Sequence, residues 1–242
     1  ITVGNTDIAE MERAFEAHGS EIAVVLCEPV QGAGGVYPPP EGYLQRVREL
    51  CTEHGALLVF DEVITGFGRL GTWFGAQYYD VEPDMITFAK ACTSGYLPLG
   101  GVVVGPAVLD VLEADESFVL RHGFTYSGHP TACAAALENV AIMIEEDLFA
   151  NVPMIAERIG GGLASLVDHG IIPSSRGVGG VWAAAMPDGV DAAVVRSAML
   201  ERGVIGRPIG PSTIAFCPPL VISPEQASRC VEALGEAVVA SR

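Results

Sequence analysis

The hydrophobic positions of this chain follow two rhythms that alternate along its first half. Behind Asp7, the residues Ile8, Met11 and Phe15 recur at helical intervals, and Asp7 with Glu10 has the spacing of a capping box. EIAVVLCEPV (21–30) is instead a short apolar run rich in β-branched side chains, which predicts a buried strand. QGAGGVYPPP (31–40) excludes regular structure with its glycines and prolines. EGYLQRVRELCTEHG (41–55) returns to the helical period, placing Leu44, Val47, Leu50 and Cys51 on one face with Gly55 as a stop. Further strands are predicted at ALLVF (56–60), DMITFA (84–89) and GGVVVG (100–105).

Strand, helix and strand at this spacing predict a parallel α/β architecture. Because the strands are continuously apolar rather than alternating, the mostly parallel sheet is expected to carry helices on both faces. GHPTACAAALENVAIMI (128–144) predicts a long helix. Beyond about residue 150 short strands alternate with amphipathic helices, and Val231, Leu234 and Val238 share one face of a closing helix. The expected organisation is therefore a large domain over 1–149 and a smaller α+β domain over 150–242. The chain opens at Ile1 and runs almost at once into a capped helix, so it reads as a piece of something longer.

Composition narrows the function classes. The 242 residues carry 13 basic and 30 acidic side chains, a net charge of −17. That balance argues against nucleic acid or an anionic membrane surface as the main partner. Half the residues are hydrophobic, yet no uninterrupted apolar run reaches roughly 18 positions, so a membrane span is not expected. Six cysteines are scattered without a C-x-x-C pair, and the histidines show no ligand spacing. Reduced thiols in a cytoplasmic protein, with no metal site, are the expectation.

Three ionisable residues end successive predicted strands: Glu28, Asp61 and Lys90. Ligands of open parallel sheets bind beyond the carboxyl ends of the strands, and neighbouring strands lie about 4.8 Å apart. Glycine-rich loops follow each of the three and allow close approach of backbone. Asp61 is expected to be buried, holding a cationic group in a dry site. Pyridoxal 5′-phosphate (PLP) wants this pair: a lysine amine for its aldehyde, and a carboxylate that keeps its ring nitrogen protonated. Spacing alone leaves a nucleotide or a sugar phosphate open, although no G-x-G-x-x-G follows the first strand.

The local words are more specific. EPVQGAGG (28–35), LLVFDEVITGFGRLG (57–71), PDMITFAKACTSGYLPLGG (83–101) and GFTYSGHP (123–130) follow one another in an order that resembles the class III, fold-type I, PLP-dependent aminotransferases over nearly the whole chain. The resemblance extends to the 29-residue interval from Asp61 to Lys90. It implies that Lys90 is the Schiff-base lysine and proton shuttle, that Asp61 pairs with the ring nitrogen, and that Val63 presses on the ring. It also implies that Thr125 reaches a partner subunit's cofactor phosphate and that Glu28 lies on the substrate side. GVIGRPIGPSTIAFCPPL (203–220) resembles the segment whose arginine receives a substrate carboxylate, which points to Arg207.

Ile64 stands where ornithine- and GABA-type members have Gln, so DEVITGFGR looks more like the ω-amino acid or amine:pyruvate transaminases. The implied reaction moves an amino group from an ω-amino acid or amine to a keto acid such as pyruvate, in a homodimer with shared sites. An aminomutase or racemase of the same family is the alternative enzyme. Members also carry an amino-terminal part with a phosphate-cradling loop and a ring-stacking aromatic, and neither precedes Glu28 here. A catalytically incompetent scaffold is therefore a further expectation to test.

Overall fold

The computed structural model describes residues 1–242, which divide into two compact units. The first comprises residues 1–29, 39–67 and 74–146; the second comprises 30–38, 68–73 and 147–242. A single cut at 149 would leave the loops 30–38 and 68–73 with the first unit, whereas both go with the second.

The first unit begins with α1 (Ile8–His18), where the Asp7 carboxylate accepts the Ala9 amide at 3.0 Å. Glu10 does not complete the capping box: its carboxylate accepts the Gly4 amide at 2.7 Å and ties down the preceding chain. β1 (Val24–Cys27), α2 (Tyr43–His54) and β2 (Leu57–Asp61) follow. Gly55 ends α2 in a left-handed conformation (φ 68°), where a side chain would be strained, and returns its amide to the last turn. After the short α3 (Gly75–Tyr78) come β3 (Met85–Phe88), β4 (Gly101–Val104), α4 (Pro106–Glu113) and α5 (Pro130–Glu145).

The strands form one sheet in the order β1-β2-β3-β4, parallel except for the antiparallel pair β3–β4. One face is covered by α1 and α2, whose Phe15, Leu44, Val47 and Leu50 pack with Leu58 and Phe60 of β2. At the sheet edge Arg48 Nη1 donates to Asp84 Oδ2 at 2.7 Å, and the same oxygen accepts the Leu58 amide. The other face carries Val24, Leu26, Val59, Asp61, Thr87 and Val102, by register. There Leu26 is 65% and Val102 55% exposed, so cover on this face is incomplete at β1 and β4.

The second unit is α+β. A wound stretch of α6 (Val152–Ile155), a wide turn over Ala156–Gly161 and α7 (Gly162–Asp168) leads to β5 (Ser175–Val178) and β6 (Val181–Ala185). Then come α8 (Ala192–Glu201), β7 (Arg207–Ile209), β8 (Thr213–Phe216) and α9 (Pro224–Ala240). The antiparallel sheet runs β5-β6-β8-β7. Ser223 and Gln226 close a full capping box on α9, which buries Val231, Leu234 and Val238 as expected. Ile155, Ile159, Leu163, Met199 and Ile214 complete this core.

Two arginines bind the early loops into this unit. Arg176 Nε donates to Gly35 O at 2.8 Å, and its guanidinium lies 4.2 Å from the centre of the Tyr37 ring. Arg69 Nη1 donates to the carbonyls of Gly180 (3.0 Å) and Pro218 (2.7 Å). No helix is long and apolar enough to cross a membrane.

None of the six cysteines forms a disulfide, but their surroundings differ. Burial, then the neighbouring Cys51 and Glu28, push the Cys27 thiol up to about 12; burial pushes Cys51 up to about 11. Cys217 is exposed. Since the thiolate is the reactive form, a disulfide reagent at about pH 8 is expected to label Cys217 rapidly and to spare Cys27 and Cys51 until the chain is unfolded. Mass spectrometry of the labelled peptides checks this; labelling of Cys27 in the folded protein at the rate of Cys217 contradicts it.

Candidate active site

Period-two alternation at the end of β2 sends two consecutive carboxylates to opposite faces. Asp61, paired in register with Thr87, lies on the less covered face. Its Oδ1 accepts the Val63 amide at 3.0 Å, which folds the chain back immediately beyond the strand and leaves Oδ2 for another donor. Asp61 is half-buried, so the expectation that it is the hidden charge is corrected. The fully buried carboxylate is Glu62, at 0% exposure. It lies on the face that α1 and α2 cover, where no cation meets it.

Glu62 is satisfied by donors instead of a counter-charge. Its Oε2 accepts the Gly75 amide at 2.7 Å and the Thr65 hydroxyl, and its Oε1 accepts the Ala76 amide at 2.7 Å. Burial raises this carboxyl above the ordinary range, and the three donors and Asp61 act on it more weakly.

Lys90 opens a single tight turn, Lys90–Thr93, directly after β3. Because β2 and β3 are parallel neighbours and Asp61 faces Thr87, Asp61 and Lys90 leave adjacent strand ends at the same edge of the sheet. Glu28 follows Cys27, which pairs with Phe60, so the third ionisable residue ends the next strand across. The three predicted residues are thus brought to one edge.

The local backbone at this edge is strained. Lys90 has φ 50° and Phe67 has φ 57°, a left-handed region that costs a residue with a side chain about 1–2 kcal/mol. Such conformations persist when neighbours impose them. Phe67 is wedged edge-on between Phe74 (5.5 Å) and Phe88 (5.6 Å). The Lys90 turn is braced from α5 by Asn139, whose side-chain amide donates to Ala91 O (2.9 Å) and Cys92 O (3.1 Å). Lys90 itself is exposed.

The remaining predicted residues are placed differently. Val63 is half-buried beside Asp61, and Ile64 follows it, half-buried. Thr125 is exposed in the segment before α5, inside a turn that the Ser127 amide closes by donating to Phe124 O at 2.9 Å. Arg207 belongs to the second unit, where it opens β7 and is exposed. Sequence reasoning missed Glu62 and Asn139 as supports of the site. Strand periodicity carried a signal for Glu62, since one of two adjacent residues must face the helices; nothing local marked Asn139.

A carboxylate with a spare oxygen and a lysine on a neighbouring strand end fit the two ends of PLP: the first suits a protonated ring nitrogen, the second an aldehyde. Comparison with known proteins agrees. The family model for class-III aminotransferases matches residues 3–238. The putrescine–pyruvate aminotransferase of Pseudomonas aeruginosa is 39% identical over 251 residues, covering 95% of this chain and 54% of that protein. A transaminase structure from the marine bacterium Virgibacillus matches with TM-score 0.90 and 43% identity, over 97% of this chain and 56% of that one. A PLP-bound amine transaminase from an uncultivated Pseudomonas species matches with TM-score 0.91 and 37% identity, over 97% and 56%. The chain therefore spans about half the length of the relatives it matches. A family-wide match joined to the Asp61–Lys90 strand-end pair shows that this chain belongs to the class III aminotransferases.

Proposed function

We propose that these residues carry the PLP-binding core of an aminotransferase that moves an amino group from an ω-amino acid or amine to a keto acid such as pyruvate. The observation that carries this reading is the register that puts Asp61 and Lys90 on adjacent parallel strand ends. When bound, PLP supplies an electron sink that makes a proton on the donor's amine-bearing carbon removable.

Lys90 would hold the cofactor covalently through its amine, and that amine, exposed and outside any ion pair, is placed to take up a proton and return it. Asp61 would hold the ring nitrogen's proton through Oδ2, by charge and hydrogen bond together. Val63 would press on the ring, held in place by the hydrogen bond that its amide donates to Asp61 Oδ1. Glu28 would lie on the substrate side, and Arg207 would grip a substrate carboxylate with two parallel hydrogen bonds.

The amine donor and pyruvate acceptor are supported by the name of the Pseudomonas aeruginosa relative and by Ile64, which offers no hydrogen bond. A homodimer, with Thr125 reaching the partner subunit's cofactor, is supported by the exposed apolar segment of Phe118, Val119, Leu120, Phe124 and Tyr126. Six cysteines without a disulfide suit a cytoplasmic setting.

Mixing the protein with PLP and then borohydride is expected to fix one label per chain on Lys90, the one lysine of these 242 residues, and not on the amine of Ile1. With an ω-amine donor and pyruvate, alanine is expected to appear as fast as pyruvate disappears. Product formed without consumption of a keto acid favours an aminomutase or racemase. A folded dimer that takes no label at Lys90, the one lysine of these 242 residues, overturns the PLP reading and favours a scaffold.

A further inference from the structure

We propose that Glu62 is a positioning residue: its buried carboxylate ties the turn that carries Asp61 and Val63 to the start of α3, and so fixes where Asp61 presents its spare oxygen. The proposal rests on the reading of Asp61 as the cofactor's partner.

The chain leaves the first unit after Phe67 and returns at Phe74, while residues 68–73 run with the second unit. Such an excursion would transmit every displacement of the loop to the Asp61 turn unless its two stems were fastened to each other. Glu62 fastens them. On the outgoing stem its carboxylate accepts the Thr65 hydroxyl, and its carbonyl accepts the Gly66 amide at 2.8 Å. On the returning stem it accepts the amides of Gly75 and Ala76, both at 2.7 Å. Its own amide extends the β2–β3 pairing by donating to Thr87 O at 2.9 Å, on the strand that leads to Lys90.

Close approach is part of the device. A Cβ at Gly75 would stand 3.0 Å from Glu62 Oε2 and 2.9 Å from the Pro29 side chain, so the returning stem also bears on the residue after Glu28. Phe67 and Phe74 stack edge-on across the same two stems. The clamp therefore touches the turns that hold Asp61, Val63 and Glu28.

Glu62→Gln tests this, since it keeps the size but offers one acceptor oxygen where two amides and a hydroxyl converge. Its NH2 group must then face a donor. Amide hydrogen exchange of the 242-residue chain without cofactor, followed by equilibrium titration with PLP, provides two readouts. In E62Q the Gly75, Ala76 and Val63 amides are expected to exchange about tenfold faster. PLP is expected to bind about tenfold more weakly, as the loss of one charged hydrogen bond implies, with far-UV circular dichroism unchanged.

If Gly75 and Ala76 loosen while Val63 and the PLP affinity stay at wild-type values, Glu62 only fastens α3 and the proposal is overturned. Should E62Q fail to fold, Thr65→Val removes the hydroxyl alone, and the same readouts are expected to move about threefold, in the range of one neutral hydrogen bond; wild-type values there overturn the proposal. If the unaltered chain takes up no PLP, the cofactor reading fails by itself, and the Val63 amide still decides the role of Glu62.

Discussion

Lys90→Ala is expected to lower amino transfer by about 10⁴-fold or more, because in the proposed function one amine supplies both covalent attachment and proton transfer. The visible absorbance of the lysine-bound cofactor and the borohydride label on this peptide are expected to vanish with it. The substitution is clean. Lys90 is exposed, and its left-handed φ of 50° strains alanine no more than lysine. The Asn139 brace grips the backbone carbonyls of Ala91 and Cys92 and does not depend on the side chain at 90. A melting curve within about 0.5 kcal/mol of the unaltered protein should therefore accompany the loss. Persistence of band and label in the variant removes Lys90 from the chemistry, whatever happens to the rate.

Asp61→Asn is expected to cost about 10²–10³-fold in turnover, comparable to removing one preorganised electrostatic group from an active site. Asparagine can still accept the Val63 amide through Oδ1, so the turn and its neighbours should hold. What disappears is the negative charge that, in the proposed function, favours a protonated ring nitrogen, worth about 1.4 kcal/mol for each tenfold change. Steady-state kinetics with a saturating keto acid, compared with PLP affinity from titration, separate the two effects. A variant that binds PLP weakly but turns over at the normal rate once saturated would show that Asp61 only anchors the cofactor.

The legible part of this protein was the part written in short-range pattern. Gly55 closes α2, Val231, Leu234 and Val238 line the buried face of α9, and α5 occupies the long helix expected behind His129. Asp61 and Lys90 could be placed because a parallel sheet sends successive strand ends to one edge, and the strands themselves were recognisable. Which of two adjacent carboxylates is hidden was not. Both end an apolar run, and the choice depends on which face α1 and α2 cover, a tertiary fact. Glu10 has capping-box spacing, but spacing cannot reveal that Gly4 offers a competing amide. The allegiance of residues 30–38 and 68–73 was equally invisible, since it is set by Arg176 and Arg69, whose partners lie far away in sequence.

That allegiance bears on how the polypeptide matures. Gly35 and Tyr37 leave the ribosome long before Arg176, and Arg69 long before the carbonyls of Gly180 and Pro218. During synthesis both loops wait, apolar and glycine-rich, for partners not yet made. Folding of the carboxyl-terminal half must then draw in two segments whose flanking residues belong to the first unit. Truncation near residue 146 would leave those two segments orphaned, and a separately expressed tail would lack Gly35 and Tyr37 for Arg176 and would lack Arg69 for the carbonyls of Gly180 and Pro218.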